Sequence, residues 1–474
     1  MSNVSKPERA TQERVIELFT QKLGYRYLGD WSDREGNHCI EEGLLTAHLA
    51  GQGYSPAHIS AALHKLRSEA LLHGRTLYAA NQAVYQLLRY GVSVKVAAGE
   101  VSETIHLVNW AQPADNDFVI AEEVTLKGGH ERRPDIVLYL NGIAVAVLEL
   151  KNSRVGLGEG IRQCLSNQQP EFNDWFFSTV QLVLAGNDSE GLRYGTIETR
   201  EKYFLTWKED EADNAGYKLD KYLTKLCNKA RLLELIHDFV LFDGGVKKLP
   251  RVHQYFGIKA AQTQVQQRRG GIIWHTQGAG KSILMVLLAR WILENKPAAR
   301  VAIITDRDEL DCQIERVFKD VGETIHRSQS GRDLMAQLAQ PNPRLLCSLV
   351  HKFGRRDVDD FEAFLRDLAA QPSQTQGEIY VFVDECHRTQ GGKLHRLMKA
   401  MMPNAVFIGF TGTPLLKSDA QTSLEVFGGY IHTYKFAEAV EDRVVLDLVY
   451  EARDIDQKLG NTDQIDQWFE AKTK

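Results

Sequence analysis

The sequence predicts an α/β protein of two sheet-bearing units, a mixed sheet introduced by helices and then a parallel sheet covered by helices on both faces. Three patterns carry that expectation. Apolar residues recur at spacings of three and four over 13–23, 42–49 and 56–72, the period of helices with one buried side. From about Phe118 the pattern changes to short β-rich runs, FVIAEEV, PDIVLYL, IAVAVLEL, QLVLA and YFLTW, ending near Trp207. Beyond Pro250, apolar strands alternate with helices in GIIWHT, the segment after Lys281, VAIITD, RLLCSLV, IYVFVDE and AVFIGFTG. Such alternation implies parallel pairing with both faces covered.

A charged stretch over 208–221, an apolar-periodic segment over 223–241 and the turn Phe242-Asp243-Gly244-Gly245 separate the two units. The expected divisions are 1–215, a helical linker over 216–248, a second unit over 249–446, and 447–474 as the start of a further lobe. Residues 444–474 run out in mid-pattern, so the chain reads as a fragment. Its 474 residues, 43% hydrophobic, suit two to four domains. A net charge of −5 excludes a globally basic nucleic-acid binder, so any such contact needs local patches. Cys39, Cys164, Cys227, Cys312, Cys347 and Cys386 form no CxxC pair and fit reduced thiols of a cytoplasmic protein. The start lacks a basic region followed by an apolar one, and the apolar run 283–293 is interrupted by Arg290; neither secretion nor membrane spanning is expected.

Between an apolar strand and an apolar helix stands His275-Thr276-Gln277-Gly278-Ala279-Gly280-Lys281-Ser282. Glycines at such a turn let successive N–H groups face phosphate oxygens, lysine adds a point charge toward the β and γ phosphates, and a serine hydroxyl can ligate Mg²⁺. Gly278, Ala279, Gly280, Lys281 and Ser282 are therefore candidate ATP contacts, although GxxxxGK[ST] calls for glycine where His275 stands. A second apolar run, after Glu378, ends in Asp384-Glu385-Cys386-His387. Asp384 is expected to hold Mg²⁺, Glu385 to polarise the attacking water, and His387 to report the γ-phosphate state. Phe410-Thr411-Gly412-Thr413-Pro414 reads as a coupling loop beside the nucleotide. Any one of these also matches an ordinary turn; three in order within a parallel-sheet pattern do not. DECH and TGTP after a lysine loop resemble a superfamily 2 helicase or translocase with a RecA-like lobe. That resemblance implies a glutamine motif contacting adenine at Arg251, His253 and Gln254. It also implies a nucleic-acid track along Thr305-Asp306-Arg307 and 348–352, with Arg307 and Lys352 on phosphates.

Upstream, Pro134-Asp135 and Glu149-Leu150-Lys151 bracket two apolar runs joined at Asn141-Gly142. Glu149 and Lys151, two apart on a strand, point to one face, as a carboxylate and an ammonium sharing a phosphate require. Whether Asp135 joins them depends on hairpin register. A two-residue turn at Asn141-Gly142 pairs 140 with 143 and sets Asp135 opposite Leu148, away from Glu149. A three-residue loop with Gly142 left-handed pairs 139 with 143 and unites the carboxylates; this is the expected loop. Asp135 and Glu149 then hold Mg²⁺, with the Leu150 carbonyl as a further oxygen ligand, and the ion supplies an activated water and charge compensation. Lys151 would help orient or deprotonate the water and neutralise the scissile phosphate. A half-solvated strand alternating Glu and Lys is the bland alternative, but the nearly unbroken apolar run implies burial, where charges need a partner. The segment resembles the PD-(D/E)xK nucleases. By that resemblance Gln163 carries over from a QxxxY motif, with Asn167 where tyrosine would stand.

Nuclease motif first and helicase motifs second is the order of the type I restriction subunit, the motor and cleavage subunit, which this chain resembles over nearly its whole length. Thr11-Gln12-Glu13-Arg14 also resembles the start of such subunits, though an exposed capping box is the more economical reading. The resemblance implies ATP-dependent translocation on double-stranded DNA and Mg-dependent endonucleolytic cleavage remote from the recognition site. It also implies partnership with methyltransferase and specificity subunits. Without a second RecA-like lobe, weak ATP binding and no sustained translocation are expected. The alternatives are a self-sufficient helicase-nuclease of repair or phage defence, and a nonenzymatic module docking DNA or partners.

Overall fold

The computed structural model describes residues 6–96, 99, 101–209, 216–305, 325–328, 331–349, 377–384, 399, 402–413, 424 and 427–448. Two seven-stranded sheets organise them. The first contains β1 (Arg26–Asp30), β4 (Phe118–Glu122), β5 (Ile136–Leu140), β6 (Ile143–Leu150), β7 (Leu182–Asn187), β8 (Gly191–Gly195) and β9 (Leu205–Thr206), in that spatial order. β2 (Val92–Val94) and β3 (Glu103–Ile105) form a separate hairpin. β1/β4 and β6/β7 are parallel and the other neighbours antiparallel, which makes the sheet mixed. The apolar runs from Phe118 onward are buried in every residue of β4, β5, β6 and β7.

Helices on this unit are α1 (Lys6–Glu17), α2 (Glu42–Gly51), α3 (Pro56–Ala70), α4 (Leu77–Tyr90) and α5 (Leu157–Asn167). Two differ from expectation for one reason. α1 starts seven residues before position 13 and runs into a π-helical turn, Leu18–Lys22, because its buried side carries Thr11 and Gln12, which break the apolar period. The Thr11 to Arg14 segment is therefore mid-helix and half of it is buried, not an exposed capping box. α4, capped by the Thr76 hydroxyl, hides in the sequence because Asn81 and Arg89 sit on its buried side.

Residues 218–248 form α6 (Lys218–Leu226), α7 (Lys229–Glu234), a π turn and the hairpin β10 (Leu241–Asp243)/β11 (Val246–Lys248). Leu219, Leu223, Leu226, Ile236 and Phe239 enter the same core as the sheet. Lys247 is fully buried, and its ammonium donates to Asn81 Oδ1 and Gln181 Oε1, both at 2.7 Å.

The second sheet contains β12 (Gly271–His275), β13 (Ala299–Thr305), β14 (Ile325–Ser328), β15 (Leu345–Leu349), β16 (Glu378–Val383), β17 (Val406–Thr411) and β18 (Tyr430–Tyr434). Their order is β14-β15-β13-β16-β17-β12-β18, with every pairing parallel. The edge strands β14 and β18 escaped the sequence reading because they are short, polar and only partly buried. α8 (Val252–Gln266) and α9 (Lys281–Asn295) pack together beside this sheet. Contacts join the two units. Arg290 of α9 donates to the carbonyls of Asp238 and Val240 at 2.6 and 3.2 Å, Glu294 pairs with buried Arg89, and the Tyr194 hydroxyl donates to the Pro250 carbonyl at 2.6 Å. Cys39, Cys164, Cys227 and Cys347 are buried and in no disulfide, and no described helix is long and apolar enough to cross a membrane.

Candidate functional site

The β5–β6 hairpin decides the first site. Leu140 pairs with Ile143 and Tyr139 with Ala144, so the connection is the two-residue turn Asn141-Gly142, with φ of 53° and 85°. The expected three-residue loop is not formed. A second irregularity reverses the consequence: the register then shifts, Leu138 facing Ala146 and Ile136 facing Leu148, which leaves Val145 as a β-bulge. Continued by one residue, that register sets Asp135 opposite Glu149. The cause of both features is tertiary. A Cβ on Gly142 would lie 2.7 Å from the Glu41 carbonyl, and the Glu41 N–H donates to the Gly142 carbonyl at 2.7 Å. Buried Asn141 accepts from Asp117 N–H and donates to the Leu107 carbonyl. Past the turn, the Thr179 hydroxyl donates to the Ala144 carbonyl and the Gln181 N–H to that of Val145.

Glu149 is 0% exposed and Asp135 8%. The Leu150 N–H donates to Asp135 Oδ2 at 2.6 Å, and Lys151 Nζ donates to Glu149 Oε1 at 2.6 Å. Burial pushes both carboxyls up, Glu149 to about 7 and Asp135 well above the usual range, where the Glu149 charge adds to the effect. Burial pulls Lys151 down, but Glu149 and Asp135 outweigh it and hold the ammonium charged. Glu149 Oε2 is buried with no hydrogen-bond partner. Two carboxylates against one ammonium, with an oxygen left over, fit a divalent cation. No group of three or more His, Cys, Asp or Glu among the described residues is placed to hold a metal. The donor set therefore suits an ion that completes its shell with water, phosphate or backbone oxygens, as Mg²⁺ does. Leu150 lies at that junction with its amide committed to Asp135.

α5 closes over the pair, since a Cβ on Gly160 would lie 3.4 Å from Lys151 Cγ and 3.7 Å from Glu149 Cγ. Gln163 follows three residues later, half-buried, and bonds to none of the three among the described residues. Asn167 is fully buried with both amide atoms unpartnered. Residues the motif reading missed come from α1. Glu8 Oε1 lies 3.5 Å from Lys151 Nζ, and the Gln12 amide donates to Glu122 Oε2, Glu123 Oε1 and the Asp135 carbonyl at 3.1, 3.1 and 3.3 Å. Glu8 and Gln12, four apart, would have marked one helix side had the helix been started at residue 6.

At the second site, Gly278 and Gly280 hold φ of 83° and 81°, and Gly280 caps the start of α9. Lys281 is buried, with Nζ donating to the His275 carbonyl at 3.3 Å, and a Cβ on Gly412 would lie 2.7 Å from that nitrogen. The Thr411-Gly412 turn thus lies against the lysine. Asp384 ends β16 and accepts from the Thr305 hydroxyl at 3.4 Å; β17 alone separates its strand from β12. These groups sit at the carboxyl ends of parallel strands, where such sheets bind ligands. Ser282 is half-buried in the first turn of α9. Gln254 donates to the Ala279 and Gly280 carbonyls at 3.1 and 3.3 Å and accepts from Arg251 N–H at 2.8 Å, bracing the loop. His253 donates to the Ala279 carbonyl at 3.0 Å and stacks on Tyr434 at 3.8 Å, and burial lowers it to about 4. His275, where the motif calls for glycine, is a core residue hydrogen-bonded through Nε2 to His432 Nδ1 at 2.8 Å. Glu385, His387, Pro414, Asp306, Arg307 and Lys352 lie outside the described residues.

The class these two units define is a nuclease-type domain joined to a helicase-type ATPase lobe. Residues 5–202 match the family model of the type I restriction enzyme R protein N terminus, and 253–474 match that of the SWI2/SNF2 ATPase. A putative type I restriction enzyme MjaIXP endonuclease subunit of Methanocaldococcus jannaschii is 28% identical over 417 residues, 80% of this chain and 39% of the relative. The type I restriction enzyme HindI endonuclease subunit of Haemophilus influenzae is 31% identical over 415 residues, 78% of this chain and 38% of the relative. Over about four fifths of its length the chain is thus similar to the R, or endonuclease, subunits of type I restriction enzymes, and it spans well under half the length of these relatives. The Sulfolobus solfataricus SWI2/SNF2 ATPase core in complex with dsDNA aligns over 44% of this chain and 40% of its own, at 12% identity and a TM-score of 0.31, too low a likeness to argue from.

Proposed function

We propose that this chain supplies the cutting site and the first ATP-binding lobe of a type I restriction subunit, acting in the cytoplasm. It hydrolyses DNA phosphodiesters with Mg²⁺ and takes part in ATP-driven translocation of double-stranded DNA, in complex with methyltransferase and specificity subunits. The observation that carries the reading is the buried Asp135–Glu149–Lys151 set with one carboxylate oxygen unpartnered. Asp135 and Glu149 would hold the ion, with the Leu150 carbonyl as a further oxygen. When bound, Mg²⁺ supplies a water of lowered pKa and charge compensation at the phosphate. Lys151 keeps its proton and places a positive charge beside the scissile phosphate, and α5, with Gln163, restricts access of bulk water.

At the other pocket the N–H groups of Gly278, Ala279 and Gly280 would line the triphosphate of ATP, that of Ala279 by releasing the Thr276 carbonyl it donates to at 3.2 Å, and Lys281 would exchange the His275 carbonyl for β and γ phosphate oxygens. Ser282 and Asp384 would hold the nucleotide's Mg²⁺, Glu385 orients the attacking water, and His387 senses the γ-phosphate. Gln254 keeps the loop shaped for entry. The test is a DNA-cleavage assay with Mg²⁺ on the wild type, Asp135→Ala and Lys281→Ala, with and without methyltransferase and specificity subunits. Cleavage lost in Asp135→Ala under every condition, and ATP-dependent action lost in Lys281→Ala, is the expected result. Cleavage that survives Asp135→Ala overturns the nuclease reading, and full activity without partners favours a self-sufficient helicase-nuclease.

A further inference from the structure

We propose that the short hairpin 126–132, just before Asp135, is the arm that grips the sugar-phosphate backbone of duplex DNA at the cutting site. This rests on the nuclease reading above and adds the surface that positions its substrate. Leu126 and Arg132 exchange both backbone hydrogen bonds, at 2.8 and 3.1 Å, and leave 127–131 as an exposed loop. The loop backbone lies directly on the turn at 171–173. Gly129 N–H donates to the Phe172 carbonyl at 3.1 Å and the Asn173 amide to the His130 carbonyl at 3.1 Å. A Cβ on Gly128 or Gly129 would collide with the Phe172 or Glu171 carbonyl, so this seating needs both glycines.

Charge singles the hairpin out in a chain of net charge −5. Within residues 127–133, Lys127, Arg132 and Arg133 outnumber the single acid Glu131, with His130 exposed between them. Arg133 is committed to Glu123 at 2.7 Å. Arg132 is not: its guanidinium carbon lies 3.9 Å from the centre of the Phe172 ring, one N–H reaches the Glu131 carbonyl, and no carboxylate among the described residues pairs with it. An arginine laid on an aromatic ring with N–H groups to spare is a fork prepared for a phosphate. Lys127 lies 3.7 Å from Glu35 with both side chains exposed, a pair weak enough in water to yield to phosphate. Three residue steps, at most about 11 Å of extended chain, lead from Arg132 to Asp135, so both can touch one stretch of backbone.

The experiment uses the full chain and a duplex oligonucleotide. Lys127→Ala/Arg132→Gln should raise KM for Mg-dependent cleavage on the order of tenfold with a smaller effect on kcat, and lower the slope of log affinity against log salt by about 2. Arg132→Lys, which keeps the charge on the ring, should restore most of the slope. A photoreactive group on His130→Cys should crosslink the duplex. Unchanged KM and slope in the double variant, or no crosslink, overturns the proposal while leaving the nuclease reading intact. Absence of cleavage by the wild type overturns the nuclease reading instead, and slope and crosslink still decide the arm.

Discussion

On the proposed reading, the two pockets would hold phosphate chemistry in opposite ways. At the nucleotide loop the anion cradle is local backbone: two glycines with positive φ, a helix start, and a lysine already bonded to the His275 carbonyl. At the proposed cutting site charge is assembled from α1, β5, β6 and their surroundings, and it is left unbalanced, with Glu149 Oε2 unpartnered in the core. On that reading the lysine of the first pocket would exchange one bond for another on loading, whereas the second pocket is electrostatically costly by itself and would be relieved by a cation.

That contrast can be broken most sharply by chemistry. Asp135→Asn and Glu149→Ala should each reduce Mg-dependent nicking on the order of 10³-fold or more, whereas Lys281→Ala should leave nicking of a pre-bound duplex within a few-fold, as single-turnover assays can measure. Next in size is a stability gain on losing a proposed metal ligand. Glu149 binds its proton up to about pH 7 in the folded chain, against an ordinary 4.5. The folded state thus holds the extra proton, and stability falls as pH rises through that window and stays low above it. Without metal, Glu149→Gln should exceed the wild type by on the order of 3 kcal/mol at pH 8 and converge with it near pH 4.5. Saturating Mg²⁺ should close the gap in denaturant titrations by stabilising the wild type alone.

Backbone substitutions sharpen the comparison further. Gly142→Ala meets the Glu41 carbonyl and the Leu45 amide at a φ of 85°, and should lower stability by about 2 kcal/mol, read from the unfolding midpoint. Smallest is Gln254→Ala, which removes the brace on the Ala279 and Gly280 carbonyls. It should weaken ATP-analogue binding several-fold, about 1 kcal/mol, without touching nicking. An equal loss of nicking would mean that the two pockets are not independent.

Much of this was readable in order along the chain, and what was missed has a common cause. Strands β6, β12, β16 and β17 announce themselves as unbroken apolar runs because they are buried on both faces. Edge strands β14 and β18 do not, being half solvated. α1 and α4 were misplaced or missed where Gln12, Asn81 and Arg89 occupy buried sides, since a satisfied polar group in the core looks like solvent exposure in a sequence. Glu8 and Gln12 were lost to the site for that reason.

The sequence alone determined the local placement of the candidate groups, because their spacing is a local matter: Glu149 and Lys151 share a face by pleat, and Gly278 to Lys281 open a helix by backbone conformation. It could not determine whether Asp135 meets Glu149. A two-residue turn by itself separates them; the bulge at Val145 reunites them, and that bulge answers to Glu41, Thr179 and Gln181, distant in the chain and adjacent only once it has folded.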